Sequence, residues 1–177
     1  GDVLGCVREP LPKRWKSLSM AEKIGPGETV YNIYDRQVAT EAMEWLATDG
    51  KQKKPWVLFV SMVAPHFPLI APQEFYDLYD KLDLMPTKPR ESPEHPWHHA
   101  MRNCQIMDNF TSERTRVALA SYYGLVTFID DLIGKILGAV EQNGLGDNTQ
   151  IFYLSDHGDN IGERDFWGKS NFYEESV

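Results

Sequence analysis

The chain has little cysteine, little positive charge and no long apolar run, and each shortage excludes a class of protein. Two cysteines in 177 residues, Cys6 and Cys104, lie far apart and form no metal-ligand spacing, so neither a disulfide scaffold nor a cysteine-rich zinc module is expected. Both are read as reduced structural thiols. Eighteen Lys and Arg against 26 Asp and Glu leave a formal charge of −8, with no basic stripe, which argues against nucleic acid as a partner. No apolar run approaches the ~18 residues of a membrane helix, so no membrane partner is expected. The longest, Trp56 to Ala64, reads as a strand. No internal repeat is visible. No signal sequence opens the chain, but Gly1 is not read as a native start, so the compartment stays open, as does the oligomeric state.

What remains is ordinary for a globular domain: 42% hydrophobic and 25% charged residues, in a chain long enough for one sizeable core. Residues 1–30, rich in Pro, Gly and charge, read as an irregular connection. Helical spacing of Val38, Ala42, Met43, Trp45 and Leu46 predicts a helix from Asp35, with that residue as its N-cap. Residues 56–63 then read as a strand apolar on both faces, ended by Pro65-His66-Phe67-Pro68. A short helix is expected over Gln73 to Asp80, and the proline-rich residues 83–110 read as a loop. Leu125, Phe128, Ile129, Leu132, Ile136 and Val140 share one face of a long helix from Ser112 to Gln142, stopped by Asn143-Gly144. A second strand is expected at Thr149 to Leu154. This order predicts a layered α/β fold.

The chemistry concentrates in Ser155-Asp156-His157-Gly158-Asp159-Asn160 and Trp167-Gly168-Lys169-Ser170. Ligands bind at the carboxyl ends of strands in α/β proteins. Asp156 and His157 can converge on one divalent metal where a strand ends and Gly158 lets the backbone turn. Read on their own, they fit equally a strand-end cap beside a surface histidine. Lys169 suits a sulfate or phosphate oxygen as a point charge, although most lysines are simply solvated. His66 follows the first strand directly. If the two strands are parallel neighbours it shares an edge with Asp156, where it can donate to an anion or protonate a leaving alkoxide. His95, His98 and His99 form a tempting cluster, but Pro96 is expected to break the helix that would align them, so a substrate-facing loop is favoured over a metal site. Asp130 and Asp131 diverge by about 100° on a helix, so one is expected to cap a neighbour and the other to be solvated.

These residues resemble the sulfatase family of the alkaline phosphatase superfamily, over about Tyr34 to Val177. The resemblance rests on Val63-Ala64-Pro65-His66-Phe67-Pro68, on Tyr122-Tyr123-Gly124 through Asp130-Asp131 and Gly134, and above all on Ser155 to Gly162, Phe166 to Ser170 and Tyr173 to Ser176. Within the family the chain looks most like the choline-sulfatase and phosphonate-monoester-hydrolase branch.

The resemblance implies part of an alkaline-phosphatase-like α/β/α sandwich with a mostly parallel central sheet. It implies metal ligation by Asp156 and His157, anion binding by Lys169, and anion binding or leaving-group protonation by His66. The implied metal is calcium, with manganese or magnesium as alternatives; a histidine ligand in place of an asparagine makes manganese a credible competitor, because imidazole suits transition metals better. The implied substrate is a small anionic ester, with choline, an aryl group or a sugar as leaving group; Trp97 can stack on a quaternary ammonium. The implied reaction is sulfate ester hydrolysis by a formylglycine nucleophile, and a phosphonate or phosphate ester is the alternative.

Family members carry that nucleophile in C-x-P-S-R or S-x-P-S-R, with acidic metal ligands upstream. Neither Cys6-Val7-Arg8-Glu9-Pro10 nor Cys104-Gln105-Ile106-Met107-Asp108 matches. Residues 1–177 are therefore expected to be one partial domain, an internal part of a sulfatase catalytic domain with the formylglycine outside it. Expressed alone, the chain is expected to be inactive.

Overall fold

The computed structural model of the chain describes residues 10 and 12–177. Its axis is a 31-residue helix, which we label α4, over Ser112–Gln142. Thr111 caps it by accepting from the Arg114 N–H, and its face of Ala118, Leu125, Phe128, Ile129 and Leu132 is buried. Such a stripe recurs every three to four residues because one helical face meets the core.

Four shorter elements lean on this helix. Strand β1 (Ile24–Pro26) pairs in parallel with β2 (Leu69–Ala71), Gly25 lying opposite Ile70. Helix α1 (Val30–Ala47) buries Asn32, Asp35, Ala39, Ala42 and Leu46, again at helical spacing, and packs on α4. Helix α2 (Gln73–Tyr76) follows β2 and also packs on α4. Gly124 marks where α4 comes closest to this layer: a Cβ there would stand 3.0 Å from the Ala71 Cβ and 3.2 Å from the Phe75 backbone. Helix α3 (Pro96–Cys104) lies apart from these, with Met101 and Cys104 buried against Phe166 and Tyr173.

Several expectations are corrected. Helix α1 starts five residues before Asp35, capped by Thr29 in a reciprocal pair with Asn32. Asp35 is wholly buried and faces inward instead. Residues 83–110 are not all loop, because Pro96 occupies the first turn of α3, where a missing N–H costs nothing. Among the described residues neither Asp130 nor Asp131 caps another element. Asp130 is exposed, and Asp131 pairs with Lys135 one turn along α4.

Neither predicted long strand forms a ladder among the described residues. Val57 is 95% exposed, Phe152 79% and Leu154 84%. Strand identity depends on a neighbouring backbone that supplies partners, and no described segment pairs with either stretch. Cys6 lies outside the described residues.

Candidate active site

His66 sits in the turn after residues 56–63, and α1 holds that turn in place. The two carboxylate oxygens of Asp35 accept from consecutive backbone amides, Val63 at 2.8 Å and Ala64 at 2.9 Å. Burial pushes the Asp35 carboxyl up, and the amides of Ala64 and Val63 oppose that shift. The peptides before Pro65 and Pro68 are cis. The His66 ring meets the Phe67 carbonyl oxygen through Nδ1 at 2.8 Å. A carbonyl only accepts, so Nδ1 carries the hydrogen, and in the neutral ring Nε2 keeps the lone pair.

The same arrangement recurs at His157. Its Nδ1 lies 2.8 Å from the Gly158 carbonyl oxygen, which again leaves the lone pair on Nε2. The Lys169 ammonium donates to that Nε2, and Asp156 Oδ2 stands 3.6 Å from it. The His66 and His157 rings meet edge to face with centroids 6.1 Å apart. Asp156, 87% exposed at its side chain, presents its carboxylate to solvent. One rim thus holds a carboxylate, two imidazoles with Nε2 lone pairs, and an ammonium.

Beneath the rim lies Asp159. Its Oδ1 accepts from the Ile161 and Gly168 amides at 2.9 and 3.0 Å. Burial pushes this carboxyl up, against the effect of those two amides and of the His66 and His157 rings. Burial, followed by the Asp159 charge, also drives the Tyr122 phenol up to about 12, so it stays protonated at neutral pH. Asn160, wholly buried, donates from both its backbone N–H (2.9 Å) and its side-chain amide to the Gly168 carbonyl. The closed loop from Asp159 to Ser170 puts four non-glycine residues at positive φ, among them Ser170 at 80°, beside Lys169. Gly162, at φ 91°, leaves no room for a side chain, since a Cβ would lie 2.7 Å from Pro86.

All four residues singled out from sequence (His66, Asp156, His157 and Lys169) therefore lie on one rim. The histidines of residues 95–99 do other work. His95 caps α3 by accepting from the Trp97 N–H at 3.1 Å, and His99 approaches Glu94. His98 is buried, stacks on Tyr173 with centroids 4.0 Å apart, and accepts from the Phe172 amide. Burial, then the neighbouring His95, lowers its basicity. Asp35 was read as a cap, and Asp159 and Asn160 lay within the Ser155 to Gly162 motif without a role of their own; their roles are hydrogen bonds to backbone amides and to a carbonyl.

The donor chemistry of the rim fits a divalent metal in part. A histidine ligand is commonly fixed by a carbonyl on its other nitrogen, as His157 is by Gly158. The 3.6 Å between Asp156 Oδ2 and His157 Nε2 suits two donors on one ion. Among the described residues no group of three or more His, Cys, Asp or Glu side chains converges for a metal, so these two are a partial donor set.

Fold and rim together define an α/β protein with a charged site beyond its helical layer. The sulfatase family model matches residues 9–177, and the chain belongs to that family. It is 30% identical over 154 residues to a choline-sulfatase of Rhizobium meliloti, covering 81% of this chain and 30% of that protein. Its fold is that of alkaline-phosphatase-like sulfatases. The phosphonate monoester hydrolase of Agrobacterium radiobacter superposes with a TM-score of 0.65 at 28% identity, over 78% of this chain and 30% of that one. A YidJ sulfatase of Bacteroides fragilis gives 0.61 at 31% identity, over 80% and 29%. The chain thus spans under a third of the length of these relatives.

Proposed function

We propose that the protein containing this chain is a sulfuric ester hydrolase, and that these residues supply the anion-binding and part of the metal-binding side of its active site. The observation that carries the reading is the meeting of Lys169, His157, Asp156 and His66 on one rim, in a member of the sulfatase family.

Lys169 neutralises a non-bridging oxygen of the bound ester, where charge grows during bond cleavage. His66 has its Nδ1–H held by Phe67. Its Nε2 therefore accepts while the ring is neutral, and donates to the ester or the leaving oxygen once the ring is protonated. Asp156 and His157 would hold a divalent metal, calcium by family resemblance, with manganese or magnesium as alternatives; it would supply Lewis-acid stabilisation of negative charge. The Lys169 ammonium has three N–H donors, so two remain for the ester beside the one that meets His157 Nε2. The nucleophile, a formylglycine by the same resemblance, comes from outside these residues.

The test compares turnover of an aryl sulfate and an aryl phosphonate ester by the full-length protein, with Asp156→Ala and Lys169→Ala beside it. Sulfate is expected to be preferred, with turnover falling on the order of 10²-fold or more in each variant. Preference for the phosphonate would transfer the protein to the phosphonate-hydrolase side of the family. Undiminished sulfate turnover in Lys169→Ala would remove the anion-binding role.

A further inference from the structure

We infer that Asp159, together with Asn160, is the positioning residue for Lys169, acting through hydrogen bonds to the Gly168 backbone; this rests on the anion-binding reading of Lys169. Lysine is a flexible four-carbon stem, so the place its ammonium can reach is set by where its backbone is anchored. Here both backbone polar groups of the preceding residue are held. The Gly168 N–H donates to Asp159 Oδ1 at 3.0 Å, and the Gly168 carbonyl accepts from the Asn160 N–H at 2.9 Å and from its side-chain amide. The same Asp159 oxygen also takes the Ile161 N–H at 2.9 Å, so one atom ties the start of the loop to its end.

Asp159 is two residues beyond His157, whose Nε2 meets the Lys169 ammonium. One side chain therefore sets the spacing between the rim that carries Asp156 and His157 and the backbone that carries Lys169. No hydrogen bond links Asp159 to the Lys169 ammonium. Its effect is geometric, and either carboxylate or carboxamide can exert it, because both present an oxygen to the two amides.

The test measures the dissociation constant of inorganic sulfate by calorimetry on the full-length protein. Variants are Lys169→Ala, Asp159→Ala, Asp159→Asn and the double variant Asp159→Ala with Lys169→Ala. Asp159→Ala is expected to weaken sulfate binding about tenfold, while Asp159→Asn stays within about threefold of the parent. In the Lys169→Ala background, Asp159→Ala is expected to add nothing, since the group it positions is gone.

An equal Asp159→Ala effect with and without Lys169 would overturn the inference, as would Asp159→Asn weakening binding as much as Asp159→Ala. Unchanged sulfate affinity in Lys169→Ala alone would instead sink the anion-binding reading. Should Asp159→Ala not fold, Gly168→Ala reads the same coupling. Its Cβ meets nothing within 4 Å, but φ 75° is strained for alanine and shifts the backbone ahead of Lys169. Sulfate affinity should then fall only while Lys169 is present, and a fall of equal size without it would refute the positioning role.

Discussion

Replacing Asp35 with alanine tests whether a residue on α1 controls the turn that bears His66. Two charge-assisted hydrogen bonds are lost, to Val63 at 2.8 Å and Ala64 at 2.9 Å. Each is worth about 1.5–3 kcal/mol, which sets a gross loss of about 3–6 kcal/mol. Part is returned, because the carboxylate is itself costly to bury. Its pKa is raised by burial, with the amides of Ala64 and Val63 opposing. A raised folded-state value means that the carboxyl's favourable contribution is complete below about 3.8 and is lost as pH rises through the folded value. At neutral pH the ionised group is thus held at a penalty, and the net cost of Asp35→Ala should be about 3 kcal/mol, or roughly 10²-fold in a local opening equilibrium. The assay is hydrogen exchange on the full-length protein, following peptides that span residues 60–66. Their protection should fall roughly 10²-fold in Asp35→Ala and by less in Asp35→Asn, which keeps one acceptor oxygen. Ester turnover should fall with it, since His66 lies two residues beyond Ala64, the second of the released amides. Unchanged exchange in residues 60–66 would refute the reasoning, whatever happened to overall stability.

Glu175 should make the segment after Lys169 acid-labile. Burial alone would raise its carboxyl, but the Arg164 guanidinium at 2.7 Å and the Lys88 ammonium outweigh that and hold it at about 2. A depressed folded-state value gives stability that is present above the ordinary 4.5 and is lost as pH falls toward about 2. Discounted for solvent around Lys88, the contribution should be about 2 kcal/mol. The melting-temperature gap between the parent and Glu175→Gln should therefore shrink as pH falls below 4.5 and close near pH 2, and a pH-independent gap would contradict the assignment. Gly124→Ala should cost about 1–3 kcal/mol, because the new methyl would lie 3.0 Å from Ala71 Cβ and 3.2 Å from the Phe75 backbone. A raised melting temperature, the helix-propensity outcome, would show that β2 and α2 yield to it.

Which parts of this molecule were legible in its sequence follows from what each depends on. Helix α4 makes its own hydrogen bonds, so a one-sided apolar stripe and the Asn143-Gly144 stop were enough to place it. Residues 56–63 and 149–154 have equally strong apolar patterns, but a strand needs a partner backbone, and the pattern carries no information on whether one is there. Asp35 was misread as a cap because a polar residue before an apolar stripe ordinarily faces water; here its carboxylate answers two amides about 28 residues away. Pro96 was misread as a breaker because the same ring that disrupts a helix interior favours its first turn.

The rim divides along the same line. Asp156, His157, Lys169 and His66, which the structure gathers on one rim, were singled out because their side-chain types can bind a metal or an anion directly. Asp159 and Asn160 were not, because they act on the backbone of Gly168, and a backbone amide has no residue type to betray it. Nor did the side-chain types tell which ring nitrogen of His66 and His157 is available. In both, the following residue supplies it: the Phe67 and Gly158 carbonyls each take the Nδ1 hydrogen, so Nε2 of both rings keeps its lone pair. Two histidines about 90 residues apart thus reach the same tautomer by the same local device, which makes the rim's chemistry a consequence of its turns as much as of its side chains.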